Sequence, residues 1–294
     1  MRVTQSMLSN NFLKHISNSY EKMGKISEQM QTQKKITRPS DDPVVAMKGI
    51  AYRTNLTEVQ QFKRNFTEAH NWIDNTDAAL NNATKALQRI RELTIRASTE
   101  TLDTDQRTAI SKEVKELQNQ LAEIANTKVG DKYIFNGTDT LTPPVKGDPP
   151  VVTANEKPVK LELAKGVYIQ VNSVISSDSG IFTQDFFDKI DKLVGNLENG
   201  SDQVDFKGNL ADIDVNLNNL LNERATVGAR SNRVDLMEDR IDLQEINATK
   251  MMSKNEDADM EKVITDLITQ ESVQRASLGM GARIIQPTLL DFLR

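Results

Sequence analysis

Cysteine is absent from all 294 residues. That excludes disulfide staples, thiol catalysis and cysteine-ligated metals. Histidine occurs only twice, as His15 and His70, and neither has a His or carboxylate at metal spacing on its face that would make a site, since a third ligand is lacking. Zinc is therefore not expected. No phosphate-binding or dinucleotide-binding glycine pattern is present. Gly279-Met280-Gly281 lacks the strand and helix context such a pattern needs. Asp257, Asp259 and Glu261 read as first-turn acids favoured by the helix dipole. No Ser-His-Asp set or paired carboxylates can be placed. The chain is expected to have no catalytic residue, no cofactor and no metal.

Aromatic residues are 5 % and the hydrophobic fraction is 37 %, below the globular norm of about 45–50 %. A thin helical bundle buries one stripe per helix and needs less apolar residue than a sphere. The charges are mixed in sign and sum to −5, with no basic stripe, so nucleic acid is not an expected partner. No stretch approaches the ~20 apolar residues that span a bilayer, and the first 30 residues show no signal-peptide core. The expectation is a cytosolic chain, or one exported without a cleaved signal, and no membrane partner.

Proline and glycine are missing throughout Ile50–Val129, while five of eight prolines fall at 143, 144, 149, 150 and 158. Interior proline costs a helix ~3 kcal/mol, so the helical parts lie outside that cluster. Within the proline-free stretch Phe62, Phe66, Ala69, Ile73, Thr76, Leu80, Ala83, Leu87, Ile90, Thr94 and Ala97 step by 4 and 3 without a slip. This is a heptad seam about 54 Å long, and it requires a long helical partner.

A first helix is expected over about 4–34, with Ser9, Ile16, Met23 and Met30 at one heptad position and Leu13, Tyr20 and Ser27 at another. An irregular link follows, and Asp42-Pro43 is a strong helix start. The second helix should run from Pro43 to about Ser98. Asp103 should cap a third helix that ends at Gly130. Short β-type runs at 133–135, 151–153, 159–163 and 166–174 predict a β-rich insert. Phe186, Phe187, Ile190, Leu193 and Leu197 predict a returning helix. A long helix should span about 204–252, with Ser253 and Glu256 as a capping box for the last one. Its stripe is Leu278, Ala282, Ile285, Leu289 and Phe292, interrupted by Pro287.

The predicted fold is mainly α: a long antiparallel helical coiled-coil rod built from both chain ends, with a small β-rich inserted domain. Residues 1–38 and 255–294 are expected to form terminal inner coiled-coil helices. Residues 43–130 and 183–254 should form the rod, and 131–182 an outer insert. Trp72 reads as seam packing. Terminal apolar stripes left open by a two-helix pair mark partner surfaces. The expected assembly interface is Leu13, Ile16, Met23, Met30, Leu278, Ile285, Leu289 and Phe292. The expected inter-domain linker is Arg38, Pro39, Asp41, Asp42 and Pro43.

This layout resembles the flagellin superfamily. Arg38-Pro39-Ser40-Asp41-Asp42-Pro43 is similar to the linker after the first helix in its hook–filament junction branch. Gly130-Asp131-Lys132-Tyr133-Ile134-Phe135-Asn136-Gly137-Thr138 is similar to the start of that branch's outer domain. Val227-Gly228-Ala229-Arg230-Ser231-Asn232-Arg233, Asp257-Ala258-Asp259 and Leu289-Leu290-Asp291-Phe292-Leu293 resemble its C-terminal region. The resemblance implies an extracellular structural subunit of the flagellum, exported unfolded by the flagellar type III apparatus. Its implied partners are further copies in a homo-oligomeric ring, the first hook-associated junction protein, flagellin and a flagellar export chaperone. Flagellin itself is the alternative. The last helix lacks the Asn-Gln usual in flagellins, and the Pro39/Pro43 pair favours the junction branch. Apart from the resemblance, a cytosolic coiled-coil adaptor is the remaining reading, with no partner motif to support it.

Overall fold

The computed structural model describes residues 5–98, 103–175, 180–199 and 206–285. Six helices and six short strands occur among them. In chain order these are α1 Gln5–Thr32, α2 Pro43–Ala97, α3 Thr104–Ala125, β1 Lys128–Val129, β2 Lys132–Tyr133, β3 Val145–Lys146, β4 Val151–Val152, β5 Lys160–Ala164, β6 Val167–Gln170, α4 Gln184–Asn199, α5 Phe206–Glu256 and α6 Met260–Ile285. The chain divides into two compact units. One holds 1–58 and 244–294, the other 59–243.

In the larger unit the α2 seam is buried from Phe66 to Ala97, with Phe62 at its edge. The two seam threonines, Thr76 and Thr94, and the buried Thr84 beside them are satisfied without a partner helix. Thr76, Thr84 and Thr94 each donate the hydroxyl to the carbonyl four residues back, at 2.7, 2.7 and 2.8 Å. A second heptad series, Trp72, Ala79, Ala86 and Leu93, is also buried. The buried face of α2 is thus wider than a two-stranded seam, and the helix meets more than one neighbour. Trp72 is in the core, as expected, and its indole donates to Glu68 at 3.0 Å.

The direction of α5 along this part of α2 is fixed by four pairs. Lys63 meets Asp242 at 2.9 Å, His70 meets Glu238 at 2.8 Å, Arg224 meets Asp77 at 2.7 Å and Arg91 meets Asp214 at 2.6 Å. As the α2 numbers rise the α5 numbers fall, so the helices are antiparallel. The α2 members share one heptad position beside the seam. Exposed pairs of this kind stabilise by at most ~1 kcal/mol each, and they specify register more than stability. Helix α3 lies alongside α4, pinned by Gln118 donating to Asp191 at 2.8 Å and Ser111 to Glu198 at 3.0 Å.

The β region consists of three two-stranded antiparallel sheets, β1-β2, β3-β4 and β5-β6. The expected runs at 159–163 and 166–174 form the β5-β6 hairpin, in register Leu161↔Ile169. Phe135, Phe182, Phe186 and Phe187, all in the hydrophobic core, form a chain of edge-to-face rings 5.1–5.9 Å apart. Asn136 ties the insert together: its amide donates to the Thr142 carbonyl at 2.9 Å, and its oxygen accepts from the Asn155 N–H at 2.8 Å. Gly137, at φ +54°, lets the Asn155 and Lys157 carbonyls approach where a Cβ would collide with them.

Three sequence expectations are corrected. Gly130 does not end α3. It sits at φ +59° in the β1-β2 turn. The helix stops at Ala125 because Asn126 turns its side chain to the backbone of Val145, donating at 2.9 Å and accepting at 3.1 Å. Ser253 and Glu256 do not cap a new helix either. Helix α5 continues through both, and Asp259 instead accepts from the Lys262 N–H at 3.3 Å at the start of α6. The inward face of α1 follows Ser9, Phe12, Ile16, Ser19, Met23 and Ile26, not Leu13 and Tyr20, which are exposed. Ser9, Ile16 and Met23 fit both heptad settings, and the ring of Phe12 decides between them.

Candidate assembly site

The smaller unit contains the α1–α6 pair and the joint between α1 and α2. At the joint α1 ends on Gln33, a non-glycine residue at φ +56°. This left-handed turn frees the next residues to pair as a short bridge with the α5–α6 break. The Ala258 N–H donates to the Gln33 carbonyl at 2.9 Å, and the Lys35 N–H to the Glu256 carbonyl at 2.7 Å. Side chains repeat the connection. Lys34 Nζ lies 2.6 Å from Asp257 and 3.6 Å from Glu256. That hydrogen bond holds the Asp257 carboxyl below the usual carboxylate range, with Ser253 adding to the effect. It also raises the Lys34 ammonium above its ordinary value.

Glu256 is the one buried carboxylate of this joint, at 6 % exposure. Arg53 Nε and Nη2 donate to its two oxygens, each at 2.7 Å. A two-pronged contact of this type satisfies a desolvated carboxylate with fixed geometry. It needs room on α2, and Gly49 supplies it: a Cβ there would stand 2.8 Å from Glu256 Oε1. Beside it Asn255 donates to the Val45 carbonyl at 3.0 Å. A cavity of about 150 Å³ opens here between the link and α2, lined by Ile36, Pro39, Val45, Ile50, Arg53 and Glu256.

Each expected linker residue has a definite place. Asp42 caps α2, accepting from the N–H groups of Val44 and Val45 at 2.9 and 3.1 Å, and Pro43 opens the helix. Arg38 and Asp41 close a turn: the Arg38 N–H donates to the Asp41 carboxylate at 3.1 Å, and the Asp41 N–H to the Arg38 carbonyl at 3.0 Å. Pro39 sits between them, exposed.

Helices α1 and α6 run antiparallel. Gln270 donates to the Ser19 hydroxyl at 2.7 Å, and Phe12 meets Gly281. The α6 face toward α1 is Val263, Leu267, Gln270, Gln274, Ser277 and Gly281, so both sides of the seam are rich in small and polar side chains. Apolar residues remain outside it. Leu13 is 57 % exposed and Leu278 46 %; Tyr20, Met30, Ile264 and Ile268 are also open to solvent.

Both chain ends match family models: the bacterial flagellin N-terminal helical region over residues 3–140 and the C-terminal helical region over residues 210–293. The chain belongs to the flagellin family. It is a component of the bacterial flagellum. This flagellin-family chain is 25 % identical to flagellar hook-associated protein 3 of Escherichia coli, over 94 % of its own length and 95 % of the relative's. It is 24 % identical to flagellin of Bacillus subtilis over the full length of both. A solved flagellar hook-associated protein from Vibrio parahaemolyticus superposes with a TM-score of 0.68 at 20 % identity, over 74 % of this chain and 100 % of that one.

Of the interface residues expected in this flagellin-family chain, Ile16 and Met23 are half-buried on the α1–α6 seam, whereas Leu13, Met30 and Leu278 face outward. The side chain of Ile285 and the residues Leu289 and Phe292 lie outside the described residues. Sequence reasoning missed Arg53 and Gly49, and gave Glu256 a capping role in place of this one. A glycine just ahead of the stretch Ile50–Val129 that lacks both proline and glycine, roughly one helical turn before an arginine, was the only local signal. Its partner Glu256 lies 203 positions away. Among the described residues no cluster of three metal-ligating side chains occurs, and no helix is long and apolar enough to cross a membrane.

Proposed function

We propose that this chain is a structural subunit at the junction between flagellar hook and filament, held by its terminal helices. The observation that carries the reading is the apolar surface left open on α1 and α6, at Leu13, Tyr20, Met30, Ile264, Ile268 and Leu278. Apolar surface of this kind on a paired helix marks a partner. The likeness to hook-associated protein 3 of Escherichia coli over nearly all of both chains supports the junction as its place. The role is mechanical and needs no catalytic group. Residues 1–38 and 255–294 form an inner layer with neighbouring copies in a ring. Residues 131–182 face outward. The first hook-associated junction protein adjoins on the hook side and flagellin on the filament side. The chain reaches this place unfolded, without a cleaved signal, after release from an export chaperone.

A strain lacking the chain tests this. It should carry bare hooks and shed flagellin into the medium. Filaments of normal length on its hooks would overturn the reading. A second reading, the filament subunit itself, is favoured by the end-to-end match to flagellin of Bacillus subtilis. Under it the deletion leaves bare hooks but no shed flagellin.

A further inference from the structure

We propose that Phe12 and Gly281 form a lock that sets the register of α1 against α6. The proposal rests on the reading that these two helices carry assembly, and it adds what positions them. The seam itself is a poor ruler. Ser9 and Ser19 on α1, and Gln270, Gln274 and Ser277 on α6, interrupt its apolar residues. A shift by one turn would exchange one small or polar contact for another. The near end is held by the Lys34–Asp257 bridge. The far end requires its own anchor.

That anchor is a ring seated in a notch. Gly281 is buried, and a Cβ built on it would overlap the tip of the Phe12 ring. Every other seam position on α6 carries a Cβ. A slip of three or four residues would bring Phe12 against Ser277 or Leu278, and a slip of seven against Gln274. The contrast with Gly279 is internal to the same helix. Gly279 has nothing within 4 Å of its would-be Cβ and is exposed. Both glycines weaken the helix relative to alanine, and only the second has a packing reason. The Gly279-Met280-Gly281 segment is thus a helix notch, not a ligand loop.

The absence of cysteine makes the test clean. Ser19→Cys with Gln270→Cys, bridged by a short bifunctional thiol reagent in the purified full-length chain, reports the observed register. Ser19→Cys paired with Leu267→Cys or with Gln274→Cys reports a slip of one turn. The 19/270 cross-link should form in the otherwise unaltered chain and in a Gly279→Ala background. It should be lost with Gly281→Leu and restored by adding Phe12→Ala to Gly281→Leu. Helical circular dichroism on each variant controls for unfolding. An undiminished 19/270 cross-link in Gly281→Leu, or no restoration by Phe12→Ala, overturns the lock. Because the readout is made on the isolated chain, it is independent of where in the flagellum the chain sits, which the deletion strain decides.

Discussion

Arg53 grips the buried carboxylate of Glu256 with two parallel hydrogen bonds, both 2.7 Å long. The pair joins the start of α2 to the end of α5 within one compact unit, at the point where α1 and α6 also meet the chain. The guanidinium is itself largely exposed, so the energetic weight lies on the carboxylate, which has lost its water. Removing Arg53 leaves Glu256 with Lys34 at 3.6 Å as its remaining cation.

We predict that Arg53→Ala lowers stability by about 1–3 kcal/mol, the range for leaving a buried polar group short of a partner. Arg53→Lys keeps the charge but not the fork and should fall between the two. Gly49→Ala should act in the same direction, because its methyl enters the space of Glu256 Oε1. Urea denaturation of the full chain measures all three. An Arg53→Ala variant as stable as the parent would remove the joint from the account.

The joint should also respond to pH. Asp257 is held below the usual carboxylate range by Lys34, so its contribution is present above the ordinary Asp value of about 3.9. It is lost as pH falls through the depressed value. Lys34 is raised by the same contact, so its contribution is present below about 10.4 and lost as pH rises beyond that. Stability should therefore be flat between these limits on account of this pair. Asp257→Asn should remove its share of the acid loss. Equal slopes below pH 4 in parent and variant would contradict the assignment. Both groups are partly exposed, so the effect is small.

Asp42→Ala removes the acceptor for two N–H groups of the first turn of α2. The expected cost is about 0.5–2 kcal/mol, while Asp42→Ser should recover most of it. Thermal melts of the three proteins suffice. An unchanged midpoint for Asp42→Ala would mean that the cap carries no net stability.

Leu13→Asp combined with Leu278→Asp places charge on two exposed positions outside the α1–α6 seam. The isolated chain should melt within about 0.5 kcal/mol of the parent, as surface changes do. In cells the same variant should fail to hold filaments. Normal swimming would show that these side chains bury against nothing in the flagellum.

The helices were legible in the sequence because their signals are local. The unbroken 4–3 stepping from Phe62 to Ala97 became a buried face, and Asp42-Pro43 opened α2 as a capped helix should. The misread features depend on partners far along the chain. Gly130 has the right residue type for a helix end, but Asn126 engages Val145 first. Ser253 and Glu256 have capping-box spacing, yet Glu256 is taken by Arg53. In α1, Leu13 and Phe12 offer two seams of similar apolarity. Only the glycine notch on α6 separates them, and no periodicity within α1 contains that information. The candidate site was half visible for the same reason: its linker residues are contiguous, whereas the buried ion pair spans 203 positions.

The central claim is one of location, and a single introduced thiol measures it. Leu141 in the β region is 77 % exposed, and the chain has no other cysteine to compete. Leu141→Cys, expressed in place of the parent and labelled on intact cells with maleimide-gold, should place particles at one point on each flagellum, where hook meets filament. Particles distributed along the filament would contradict the account and make the chain a filament subunit.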